Sequence, residues 1–241
     1  MKSINRDEYP RAIILSYKAQ CVLINLIESL GIEIIFSSFS GADKRISDHP
    51  DLQIYPLKDG KFVASKDTYE YYKSKLKKYD VKILEGDLPV GDKYPQDCRY
   101  NIFSIHNRFV CKKDAIDIRL RELLESEGYE MIDQKQGYAK CMSICFDDFV
   151  ITCDMSIHRA LTKNNIENYY ISPEGIDLDG FEGGFLGGSC GIIKSRKILF
   201  TGDIYQLKDV DRLTKILNDK DIEWIYPDSK LIDIGSIIPV Y

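Results

Sequence analysis

Three short stretches of this 241-residue chain carry side chains that could do chemistry. The first is His49-Pro50-Asp51. In extended backbone, residues two apart share a face. The imidazole and the carboxylate could then address one small molecule, the histidine as acid/base and Asp51 as cation binder. An Asp51 that only anchors a strand start through backbone bonds explains the same residues. The second is Cys190, inside GGSCGI at 187–192. Flanking glycines allow close approach of backbone or ligand, and a neighbouring His49 would lower the thiol's pKa and activate it. A small buried cysteine among tightly packed glycines is the alternative. The third is YPQDCRYN at 94–101, where Asp97 and Asn101 could bind a cationic or amide group or cap a turn.

These stretches need elements to hold them. A strand–strand–helix–strand pattern repeats every ~40–50 residues, within the range of repeat architectures. Second strands align as KFVAS, RFVCK, DFVITC and KILFTG. The first unit reads as a strand over 51–57, a turn at Lys58-Asp59-Gly60, a strand over 61–65, a helix capped by Asp67 and a strand over 81–84. The next begins with a strand over 100–105 and has its helix over 114–127. The third begins at 140–146, with a short helix after Asp154. The fourth begins at Cys190, with Asp209 or a neighbour capping its helix. The chain opens with strand, helix (18–30) and strand, and closes with LIDIGSIIPVY. Joined, these ends supply a fifth unit, so the pattern predicts one domain over 1–241, an α/β ring closed by C-terminal against N-terminal strand. Leading strands then face a shared centre, bringing His49, Asp51 and Gln53 towards Asp97, Asn101, Lys140, Cys141, Cys190, Asp233 and Ser236.

Composition excludes several classes. Hydrophobic residues are 44% and charged residues 29%, ordinary for a globular protein. A net charge of −5 with scattered Lys and Arg argues against nucleic-acid binding. No apolar run approaches the ~20 residues of a membrane helix, and MKSINRDEYP has no signal-peptide core, so a cytoplasmic location is expected. Seven cysteines without framework or CxxC spacing predict free thiols, with no disulfides, metal site or cofactor.

Five such units, an H-x-D segment and a Gly-Gly strand bearing cysteine resemble the pentein fold of guanidino-group-modifying enzymes: arginine and agmatine deiminases, dimethylargininase and amidinotransferases. More narrowly, HPDLQ, PVGDKYPQDCRYN, QGYAKC, GFLGGSCG and LIDIGSIIPV look like a bacterial family of that fold with no established activity. The resemblance implies a hydrolase or transferase acting on an arginine-like molecule. Cys190 would attack the guanidinium carbon to give a covalent thiouronium, and His49 would shuttle protons. Asp51 and Asp97 would hold the cation, with Gln53, Asn101, Lys140 and Asp233 in the substrate site. In this chain Gln96 replaces the arginine of the enzymes' aromatic-x-Arg-Asp segment, and H-x-D precedes Asp97 instead of following it. A second register matches GGSCGI to the enzymes' Glu-Gly-Gly-Asp strand and Asp233 to their H-x-D aspartate. It leaves no catalytic cysteine and implies a catalytically silent binder of a cationic ligand or a macromolecular partner.

Overall fold

A computed structural model describes residues 6–241. In chain order the strands and helices are β1 (Ala12–Leu15), α1 (Cys21–Ser29), β2 (Glu33–Phe36), α2 (Pro50–Gln53), β3 (Ile54–Pro56), β4 (Lys61–Ala64), α3 (Tyr69–Leu76), β5 (Lys82–Glu85), β6 (Phe103–Ile105), β7 (Arg108–Cys111), α4 (Ile118–Ser126), β8 (Glu130–Asp133), β9 (Ser143–Cys145), β10 (Val150–Thr152), α5 (Met155–Lys163), β11 (Asn168–Tyr170), β12 (Cys190–Lys194), β13 (Lys197–Phe200), α6 (Val210–Asp219), β14 (Glu223–Ile225) and β15 (Ile238–Val240).

The strands form five separate three-stranded sheets, ordered β15-β1-β2, β3-β4-β5, β6-β7-β8, β9-β10-β11 and β12-β13-β14. Each has the same plan. A leading strand runs antiparallel to the middle strand, and the third runs parallel to it after a helical crossover. A parallel neighbour demands such a crossover, whereas the antiparallel pair needs only a tight turn. The fifth sheet is assembled from both ends of the chain: Ala12 pairs with Val240 and Ile14 with Ile238. Middle strands are buried along their length, fully in β10 (VIT) and β1 (AIIL) and in all but the first residue of β4, β7 and β13, because they are covered on both faces. Crossover helices bury one stripe each, such as Leu120 and Leu124 in α4 and Leu213, Ile216 and Leu217 in α6.

The elements depart from the sequence reading mainly at the strand starts. Residues 50–53 form a helical turn, not a strand, with Pro50 in its first turn and His49 preceding it. Pro50 supplies no N–H and its fixed φ suits a helix start. The side chains of His49 and Asp51 therefore do not share a strand face. The strand expected from Tyr100 begins only at Phe103, after a 3-10 turn over Gln96–Cys98. In α1, the apolar side chain of Val22 is 44% exposed. Thr68, not Asp67, precedes α3; the Asp67 carboxylate instead accepts from the Gly41 and Val90 amides and ties two loops together.

Candidate functional site

The starts of the leading strands meet in a buried polar centre. Asp51, on α2, is its hub. Its Oδ2 accepts from the Cys141 thiol at 2.9 Å and from the Ser236 hydroxyl at 2.7 Å, while Oδ1 is buried without a partner. Asn101, fully buried before β6, fixes Cys141 from the other side. Its Oδ1 accepts from the amides of Lys140 and Cys141, and its Nδ2 donates to Cys141 Sγ at 3.0 Å. The Lys140 ammonium donates to Ser236 Oγ at 3.2 Å. Four of the five units contribute to this network, and its members are widely separated in sequence.

A second pair adjoins it. His49 Nδ1 lies 3.9 Å from Asp233 Oδ1, and both side chains are almost wholly buried. Asp233 accepts from the Phe185 and Gly235 amides at 2.9 and 3.0 Å. Close backbone approach at two glycines makes this possible. A β-carbon at Gly188 would sit 2.0 Å from Asp233 Oδ1, and one at Gly235, whose φ is +73°, would sit 2.3 Å from the His49 β-carbon. Gly188, two residues before Cys190, thus makes room for Asp233, while Gly187 makes room for the backbone of Lys140 and Ser143.

Burial dominates the electrostatics. Removal from water raises the Asp233 pKa, His49 opposes the rise and Asp51 adds to it. Burial and then the carboxylates of Asp51 and Asp233 hold Cys141 as a thiol well above the ordinary cysteine range. Asp97 stands apart from the hub: the Tyr138 hydroxyl donates to its Oδ2, Oδ1 has no partner, and burial raises its pKa. Gln53 is used internally, donating to the Ser38 and Ser47 carbonyls at 2.7 Å each and accepting from the Tyr72 hydroxyl.

Cys190, the first residue of β12, is 1% exposed and its thiol donates to the Leu186 carbonyl at 3.3 Å. Burial pushes its pKa up to about 12. No hydrogen bond joins it to His49 among the described residues. What Cys190 does share with Asp51 and Lys140 is a cavity of about 570 Å³. All five leading strands line it, with Tyr55, Phe103, Ile144, Ile192 and Pro239 among the wall residues. Hairpin-turn residues such as Lys58, His106 and Asp147 are exposed at its mouth, whereas Asp51, Cys190 and Tyr100 are buried and form its floor.

The structure therefore joins Asp51, Asn101, Lys140, Cys141 and Ser236 directly, and pairs His49 with Asp233 beside them. It does not bring Gln53 into that network, and Asp97 bonds elsewhere. Tyr138 and Asp48 were not singled out in the sequence. Asp48 accepts from the Ser16 hydroxyl at 2.5 Å and leaves Oδ1 buried and unpartnered. Its only signal was adjacency to His49; that of Tyr138 was its place two residues before Lys140.

The chain's fold is similar to that of a putative peptidyl-arginine deiminase, with a TM-score of 0.62 and 9% identity over 100% of this chain and 98% of the other. It is similar to an amidinotransferase of a saxitoxin biosynthetic pathway from Microseira wollei at TM-score 0.60 and 10% identity, covering 99% and 96%. A DDAH mutant from Pseudomonas aeruginosa complexed with citrulline matches at TM-score 0.56 and 9% identity, covering 91% and 92%. With five three-stranded sheets, the α/β fold is similar to that of pentein enzymes. The chain belongs to the family of unknown function DUF6873, whose model matches residues 14–238. No curated protein matches it by sequence. Among the described residues, no helix is long and apolar enough to cross a membrane.

Proposed function

We propose that this protein binds a small guanidino-type ligand on the floor of the five-strand cavity, with Asp51 as the acceptor. One observation carries the reading: Asp51 lines the cavity and its Oδ1 is a buried carboxylate oxygen without a partner. Such an oxygen is costly to leave unmet, and a planar head rich in N–H groups meets it. The likeness in fold to a deiminase, an amidinotransferase and a DDAH supports the same ligand class. On this reading the five units are one domain, a pentein-type β/α propeller ring around the cavity. His49, Asp233 and Asn101 hold the floor in shape, and Asp97, bonded to Tyr138, stands apart from it.

Guanidino-group modification through a covalent bond to Cys190 is the second reading, favoured by the presence of Cys190 in the same cavity. Binding without chemistry is the better supported of the two. Among the described residues the thiol has no base as partner, and with a pKa of about 12 it is protonated at neutral pH.

A thermal-shift and calorimetric screen over arginine, agmatine, citrulline and methylated arginines tests the proposal. A ligand at a hundred times its Kd contributes about 2.7 kcal/mol, which for a chain of this size raises the melting temperature by roughly 5–10 °C. The shift should vanish in Asp51→Asn. If no member of the screen shifts the wild type, the reading is lost. Labelling by a haloacetamidine at pH 7 separates the two readings: exposed Cys21 should react before buried Cys190, and the reverse order would establish the nucleophile.

A further inference from the structure

The cavity floor presents two unmet groups of opposite kind. Asp51 Oδ1 needs a donor. The Lys140 ammonium, which lines the same cavity, has the Ser236 hydroxyl as its hydrogen-bond acceptor, and among the described residues no carboxylate lies within ion-pair distance of it. The same hydroxyl lies 2.7 Å from Asp51 Oδ2 and 3.2 Å from Lys140 Nζ, so it tethers both charges to one point. A three-donor ammonium with one hydroxyl partner still calls for an acceptor.

A guanidinium has donors only. It would satisfy Asp51 but would set a second cation beside Lys140 on a floor of buried residues, where like charges repel strongly. A carboxylate would satisfy Lys140 and repel Asp51. A head that carries N–H groups and a carbonyl together meets both needs and adds no net charge.

We propose that the preferred ligand of this cavity is a neutral ureido or carboxamide compound on an apolar body. Its N–H groups donate to Asp51 Oδ1 and its carbonyl accepts from Lys140 Nζ. The body follows from the walls: Phe103, Ile144, Ile192 and Ile237 line the space above the floor, and the volume of about 570 Å³ is that of a site for a ligand far larger than urea itself. This rests on the reading of Asp51 as the acceptor for a planar N–H-rich head, and replaces the cationic guanidino head of that reading by a neutral one.

The test is isothermal titration with benzylurea and benzylguanidine, which differ only in the head. Wild type should bind benzylurea at least tenfold more tightly. Lys140→Met removes the donor and the competing charge, and should reverse the order; Lys140→Gln should do the same where the Met variant does not fold. Ile192→Trp, filling the cavity from β12, should abolish binding of both compounds. Tighter binding of benzylguanidine by wild type would overturn this inference while leaving Asp51 as a guanidino acceptor. If neither compound bound, or binding ignored Asp51→Asn, the guanidino-type reading would fall with it.

Discussion

At the residue scale, the polar centre is held by groups that burial has made unequal. Asp97 is the most direct to test, because desolvation raises its pKa above the ordinary 3.8 and the Tyr138 hydroxyl only partly offsets this. With the folded value above the unfolded one, the native state binds more protons between the two values, so stability from this group is lost as pH rises through that window. Asp97→Asn keeps an acceptor for Tyr138 and cannot ionise. The variant should gain on wild type as pH rises from about 4 to 7, measured by urea denaturation across that range, whereas parallel curves would place the ionisation cost elsewhere. The individual polar residues were legible in sequence, but their partners were not. His49 and Cys190 attracted each other on paper as an acid/base and a thiol. In the fold His49 goes to Asp233 and the hydrogen-bonded thiol beside Asp51 is Cys141. Residue type announces what a group can do, whereas its partner depends on contacts that in this centre span 185 positions between Asp51 and Ser236.

At the scale of elements, alternating apolar runs and tight turns gave away the strands, because period and turn chemistry are local. Strand starts were misread where a local alternative existed, as in Pro50–Gln53. Aspartates before helices look alike in sequence but differ in the fold. Asp154 caps α5 through its Oδ1, which accepts from the amides of Ser156 and Ile157 at 2.8 Å each. Asp209 precedes α6 without a cap bond, and its carboxylate accepts from the Ser172 amide instead. Asp154→Ala should therefore cost about 1 kcal/mol through the helix. Asp209→Ala should act on the loop at 172–175, seen as faster amide exchange at Ser172 with α6 protection unchanged. Equal loss of protection in α5 and α6 would refute the distinction.

At the scale of the molecule, the pairing of β15 with β1 was legible from arithmetic alone, since the opening strand–helix–strand lacked a leading strand and the closing segment lacked a helix. Removing residues 237–241 would strip β1 of its antiparallel partner and expose Ile13 and Ile14. It would also delete Ile237, Ile238 and Val240, each at most 4% exposed. Three buried aliphatic side chains contribute about 1.5–3 kcal/mol each, a sum comparable to the whole net stability of a typical domain. The truncated protein should lose its cooperative thermal transition, as followed by calorimetry, and retention of a sharp transition would contradict a load shared by all five sheets.

The same pairing bears on how the chain is made. Synthesis is vectorial, and β1 leaves the ribosome long before its antiparallel partner exists. Until β15 emerges, the first sheet carries an open edge of unpaired amides and carbonyls, the state most prone to pairing with another nascent chain. The units over 54–85, 103–133, 143–170 and 190–225 can each form their hairpin as they appear. The fifth cannot. Emergence of residues 238–240 thus ends the vulnerable interval, and a chain stalled before them would leave β1 as a template for aggregation.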